Sequence, residues 1–387
     1  MRRRPLPAAG AAGASALLLA PSRWRPWELA LWAAIWAVPV FFGQHAALVN
    51  EIAILALFAL SLDLILGYAG IVSLGHAAFF GVGAYGAALF AKHVMPDPLV
   101  GLAVGAGLGA LLGLITSPMI VRGTDLTRLM VTMGVALVLL ELANKFDGLT
   151  GGADGLQGVV MSPLVIPFIG RFEFDLGARV ASFYSLAVLF LAFLVLRRIV
   201  FSPLGISMQA LRDNRLRLMA IGLSVQGRLA AVYTLAAGLA GAAGALLVQT
   251  TGFASLDVFE FHRSADVMLA LVIGGAGWLW GGLVGAIAFK VLHDLISSFT
   301  AQYWTFWIGL VLVVLMLVGR EKLFRPWTWW KKRGALRAER RAAPKPARIP
   351  SRDRPTYSSD EGLSFPTSCS RPIRWSSASA ESPPRMT

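Results

Sequence analysis

Few of these 387 residues could perform covalent chemistry. There is no G-x-x-x-x-G-K-[ST] to cradle a phosphate, no H-E-x-x-H, and no Ser, His and Asp in an order that one site would gather. The single cysteine, Cys369, leaves no disulfide framework, C-x-x-C pair or cysteine-rich metal site. What remains is a handful of polar side chains set in apolar sequence. Asp63, Glu141, Lys290 and Asp294 are the ionisable candidates, because burying charge in hydrocarbon is expensive. Lys290 and Asp294, spaced i, i+4, can also simply neutralise each other on one helix face. Asp63 sits near the end of its run, where a structural role is equally open. Ser73 and His76 can offer hydrogen bonds to a small polar molecule, although a lone histidine without acidic neighbours also reads as a capping or packing residue.

The elements that must position these residues are membrane helices. The chain is 56% hydrophobic and 14% charged, with mean hydropathy +0.66, whereas a soluble domain carries about 25% charged residues. Apolar runs fall at 27–43, 51–66, 76–92, 99–121, 127–143, 180–201, 228–250, 265–277, 279–297 and 303–319. About 20 helical residues cross the hydrocarbon. The runs are apolar all round and lack the alternation of an outer-membrane barrel. The expected fold is all-α and integral to a membrane, with about ten transmembrane helices or half-helices.

A net charge of +14 would suit nucleic acid if it were spread over a folded face. Instead residues 1–28 and 320–387 hold the whole excess, and 29–319 balance fourteen bases against fourteen acids. Basic membrane flanks explain that pattern better. The organisation expected is a basic cytoplasmic lead at 1–26, a transmembrane domain at 27–320, and a disordered basic cytoplasmic tail at 321–387. The lead imitates a signal peptide, but its apolar stretch is short and Pro21, Arg23 and Arg25 follow it. Arg122 and Arg128 flank one loop, and Arg197, Arg198, Arg212, Arg215, Arg217 and Arg228 crowd another. Starting inside and alternating places both loops in the cytoplasm, as the positive-inside rule requires. The C-terminus falls inside only if 265–297 forms two segments turning at Gly274–Gly282, the first of them a half-helix.

Broken helices commonly line a pathway. Gly67, Ala69, Gly70 and Gly75 recur at one offset as Gly274, Ala276, Gly277 and Gly282. The recurrence suggests an internal repeat, although chance matches are frequent in glycine-rich membrane sequence. Gly70, Ser73, Gly75, His76, Gly274, Gly275 and Gly277 are therefore the candidate pathway residues. The small residues between 75 and 86 equally suit a helix-packing face.

The cytoplasmic loop 202–227 reads as a short helix from Pro203 to Gly222. Leu204, Met208, Leu211 and Leu218 share one side, and Asp213, Asn214 and Arg217 point elsewhere. With Arg212, these residues form a candidate coupling segment whose apolar anchors would dock in a partner's groove; a plain positively charged interfacial loop is the alternative. On the outer side, 144–179 and 251–264, with Asp154, Asp257 and Glu260, are candidates for docking a soluble partner.

The stretch Gly67-Tyr-Ala-Gly-Ile-Val-Ser-Leu-Gly-His-Ala-Ala-Phe-Phe-Gly-Val-Gly-Ala-Tyr85 resembles the signature of branched-chain amino-acid ABC permeases of the LivM type. Leu149–Leu156, the 212–222 loop and Ile273–Gly277 with Gly281 resemble further motifs of that family in the same order. The chain departs from the pattern at Ile71, Arg215, Trp278 and Gly282. The resemblance covers about 50–319. It implies a permease subunit that binds no cofactor itself, in the inner (cytoplasmic) membrane of a bacterium. A second related permease, two ATP-binding subunits that use ATP and Mg, and a periplasmic substrate-binding protein would be its partners. Branched-chain or other small hydrophobic amino acids would be the substrates, moved without chemistry. A permease for urea, amides or another solute and an ion-coupled secondary transporter are the alternatives.

Overall fold

A run that is apolar on every side and excluded from water has few options, because each backbone N–H and C=O must be satisfied within the segment. The computed structural model describes residues 26–41, 43–123, 125–166, 170–172, 179–220 and 222–299, with 306, 307, 309, 310 and 313. Its helices in chain order are α1 (Pro26–Phe41), α2 (Ala46–Asp63), α3 (Ala77–His93), α4 (Pro98–Arg122), α5 (Asp125–Lys145) and the single turn α6 (Asp147–Thr150). There follow α7 (Arg179–Val200), α8 (Pro203–Asp213), α9 (Arg215–Ala220), α10 (Val225–Thr251), α11 (Phe261–Gly274) and α12 (Gly281–Phe299).

Among the described residues, six stretches are long and apolar enough to cross a membrane: Gly43–Tyr68, Pro98–Val121, Leu126–Lys145, Arg179–Val200, Val225–Thr251 and Gly281–Ser298. The runs at α1, α3 and α11 form helices of 16, 17 and 14 residues. Most of the tenth run, the lead before residue 26 and the tail 321–387 lie outside the described residues.

Helix α10 is the hub and packs along both α3 and α4. Glycine permits that approach: a Cβ on Gly83 would fall on the backbone of Gly241, and one on Gly105 or Gly109 would meet the α10 backbone or its alanines. The small-residue stripe of 75–86 is thus used for packing. Gly75 abuts the Thr132 carbonyl of α5, Gly81 the Phe259 ring, and Gly86 the Leu108 side chain.

Helix α1 is held by a buried pair in which Arg197 of α7 donates to Glu28 at 2.6 Å. Around Trp32, the rings of Phe190, Phe193 and Trp280 pack at 4.8–6.0 Å between centroids. Helix α4 begins on a designed stop: Asp97 accepts from the amides of Leu99 and Val100, with Pro98 in the first helical position.

Two details differ from the sequence reading. The 203–222 segment is two helices, because Asn214 adopts an extended backbone that separates α8 from α9; asparagine is a poor helix-interior residue. The loop after α6 also carries a short antiparallel hairpin, β1 (Leu164–Ile166) with β2 (Gly170–Phe172), in register Leu164 opposite Phe172. Strand formation there follows β-branched Val165 and Ile166.

Candidate functional site

The two glycine breaks meet. Helix α2 ends in a wide π-helical turn at Leu64–Tyr68, and residues 69–76 run without helix before α3. Helices α11 and α12 are likewise separated at 275–280. Asp63, at the end of α2, accepts from the amide of Gly277 at 2.7 Å, and the Gly67 backbone lies directly against that same amide. Asp63 is buried, so its carboxylate works as a staple between the breaks. Gly70 and Gly277 adopt φ of +72° and +79°, the left-handed region in which a side chain would be strained.

Helix α8 closes over this junction. Arg212 donates to the carbonyl of Gly67, and its side chain passes beside Gly70 and Gly277. Gly67, Tyr68, Gln209, Arg212, Asp213 and Gly277 line a cleft of 280 Å³ there. Sequence placed Arg212 on the coupling segment and Gly67, Gly70 and Gly277 on the breaks. The fold brings all four to one point.

The apolar anchors are arranged differently from expectation. Met208, Leu211 and Leu218 are buried in the chain's own core, and Leu204 packs against it, so they are not available to a partner's groove. Apolar side chains beside a hydrophobic bundle bury against it first. The exposed residues of α8 are Pro203, Ile206, Gln209, Ala210, Arg212 and Asp213. Gly222 is exposed at φ +77° with open space around it. The side chain of Arg217 lies outside the described residues.

Along the first break, His76 is fully buried, stacked on Phe58 at 5.4 Å and edge-on to Phe79. Ser61 gives its single hydroxyl proton to the Phe58 carbonyl at 2.6 Å, so at 2.8 Å it accepts from His76 Nε2. That fixes the tautomer and leaves Nδ1 an acceptor. Nδ1, the buried Ser73 hydroxyl and Asp63 Oδ2 have no hydrogen-bond partner among the described residues. Ser264 of α11 caps α3 by accepting from the Ala77 amide at 2.9 Å. Gly274 and Gly275 serve the close α11–α12 turn, where a Cβ on Gly274 would strike the Gly281 carbonyl.

A second cavity of 480 Å³ opens at the other end of α2. Ile54, Leu55, Phe58, Phe80, Leu247 and Phe289 form its apolar wall. Glu51, Asp257, His262, Arg263, Asp266, Lys290 and His293 bring charge to the same void. Lys290 pairs across helices with Glu51 at 2.8 Å, which corrects the expected pairing with Asp294 on one face. Arg263 donates to Asp257 at 2.5 and 2.8 Å, and His262 contacts Asp257 and Glu260 at 2.9 and 3.0 Å.

Asn50 anchors the cavity: its amide donates to Thr250 at 3.0 Å and its carbonyl oxygen accepts from Ser185 at 2.6 Å. The loops 147–162 and 252–264 join at this end through paired backbone hydrogen bonds between Leu156 and Ala254. Glu141 lies away from both sites, exposed on α5.

Sequence reasoning missed Glu51, Phe58, Asp266 and His293. One signal was present, since Glu51, Ile54, Leu55 and Phe58 follow the i, i+3, i+4, i+7 spacing of a single helix face.

The chain matches the family model described as "Branched-chain amino acid transport system / permease component" over residues 45–318, which takes in both cavities and the junction. The chain belongs to this permease family. It is 29% identical over 295 residues to the high-affinity branched-chain amino acid transport system permease protein LivM of Salmonella typhimurium, covering 70% of this chain and 68% of that one. The LivM of Escherichia coli matches equally, with the same identity and coverage. The "Probable branched-chain amino acid transport permease protein LivH" of Methanocaldococcus jannaschii is 26% identical over 258 residues, covering 64% of this chain and 79% of that one. No solved structure matches.

Proposed function

We propose that this permease is one half of an ATP-driven importer that carries branched-chain or other small hydrophobic amino acids across a bacterial inner membrane. Separate subunits hydrolyse ATP with Mg, a second related permease completes the pore, and a periplasmic binding protein delivers the solute. The chain crosses in ten segments, with both termini in the cytoplasm. Grouping of the arginine-rich α8–α9 segment with both breaks at one end, and of the 147–162 and 252–264 loops at the other, supports that topology.

One observation carries the mechanism: Arg212 of α8 bonds the first break and lies beside the second, while Asp63 ties the two together. An ATPase subunit that grips the Ile206–Asp213 face displaces α8. That withdraws Arg212 and frees both breaks to change conformation together, which is a two-state element of the kind alternating access requires. Ser73 and His76 then supply polar stops along the opened segment.

Leucine uptake into proteoliposomes containing the chain, its partner permease, the ATPase subunits and the binding protein should require both ATP and the binding protein. Arg212→Ala should cut that uptake about tenfold or more, the worth of a charge-assisted hydrogen bond, while basal ATP hydrolysis continues. Uptake that ignores ATP and follows an ion gradient would replace this reading with a secondary transporter.

A further inference from the structure

We propose that the 480 Å³ cavity bounded by α2, α3, α10, α11 and α12 binds the zwitterion of a hydrophobic amino acid. Asp266 would take the ammonium group, Lys290 the carboxylate, and the wall of Phe58, Phe80 and Phe289 the side chain. The proposal rests on the importer reading, which names a solute class and gives it no residues at this cavity.

Charges of both signs facing one apolar-walled void are the complement of a zwitterion with an apolar substituent. Small-molecule sites occupy roughly 300–1,000 Å³ and combine an apolar lining with a few convergent polar groups. Asp257 is already engaged by Arg263 and His262, and Glu51 by Lys290. Asp266 lines the void within electrostatic reach of His262, Arg263, Lys290 and His293 but in no close ion pair among the described residues, so its oxygens can accept from an ammonium group. Lys290 spends one of its three N–H donors on Glu51, so others are available for a carboxylate.

Specificity follows from the wall. A side chain ending in charge would have to be stripped of water against Phe58, Phe80 and Phe289, an uncompensated cost. The site also shares α2 with the first glycine break. Phe58 stacks on His76, and Asp63 lies about 18 Å beyond Glu51 along α2. The aromatic layer thus separates the cavity from the glycine breaks until these move.

The one cysteine makes a direct test available. In a Cys369→Ser background, Ile54→Cys places a thiol in the wall, with Leu55→Cys as a second reporter should the first fail to assemble. In the reconstituted full complex, excess leucine should slow modification of that thiol by an external thiol reagent, and glutamate should not. Asp266→Asn should raise the leucine needed for protection about tenfold, whereas Glu141→Gln, exposed on α5 and away from the cavity, should leave it unchanged. ATP-dependent uptake without any protection would overturn the site and keep the importer. Protection without ATP-dependent uptake would do the reverse. Absence of both would overturn both.

Discussion

Asp63 illustrates how one buried carboxylate can be structural in a transport protein. Its Oδ1 receives the Gly277 amide at 2.7 Å, so the group ties two breaks that are more than two hundred residues apart in sequence. Asp63→Asn keeps an acceptor oxygen, and should retain folding and much of the uptake. Asp63→Ala removes the charge-assisted hydrogen bond from the Gly277 amide, and should destabilise the assembled protein by about 1–3 kcal/mol. Thermal unfolding of the two variants in detergent, measured side by side, checks this; equal melting temperatures would mean that the staple contributes nothing. Arg212 plays the complementary part. A lysine there would keep the charge but lose the planar fork that reaches the Gly67 carbonyl past Gly70.

Among the elements, the α3–α4–α10 contact is where backbone proximity replaces side-chain interlocking. Between helices in lipid there is little hydrophobic drive, so close van der Waals contact must supply stability. A Cβ at Gly83 would overlap the Gly241 backbone, whereas Gly107 on α4 has open space around it. Gly83→Ala should therefore destabilise by about 1–3 kcal/mol, and Gly107→Ala should be neutral or stabilise by up to about 1 kcal/mol through helix propensity. Protease resistance or melting temperature in detergent would separate the two. A neutral Gly83→Ala would show that these helices stand further apart than described. At α8 the same logic acts in reverse: its apolar side is consumed by the bundle, and Pro203, Ile206, Gln209, Ala210, Arg212 and Asp213 stay exposed.

Over the whole molecule, two ends are chemically distinct. One end carries α8 and the joined breaks, the other the charged cavity beneath the paired loops. Sidedness is testable in the Cys369→Ser background. Gln209→Cys should react with a membrane-impermeant thiol reagent only from the cytoplasmic face, and Asp154→Cys only from the outside. Reaction of both from one face would overturn the ten-segment topology.

How much of this the chain announces by itself depends on range. Local physics is enough for the helices: apolarity on every side, Pro203 at a helix start, and glycines interrupting 67–75 and 274–282 are all readable in the sequence. Sequence also singled out Arg212, Ser73 and His76 by residue type and position. It did not reveal that Arg212 reaches Gly67, that Lys290 prefers Glu51 to Asp294, or that Met208 and Leu211 face inward. Such partnerships join residues far apart in the chain, and periodicity speaks only for one helix at a time. Which of a helix's neighbours stands within hydrogen-bond reach is decided by packing, so the junction and the cavity exist only in the tertiary structure.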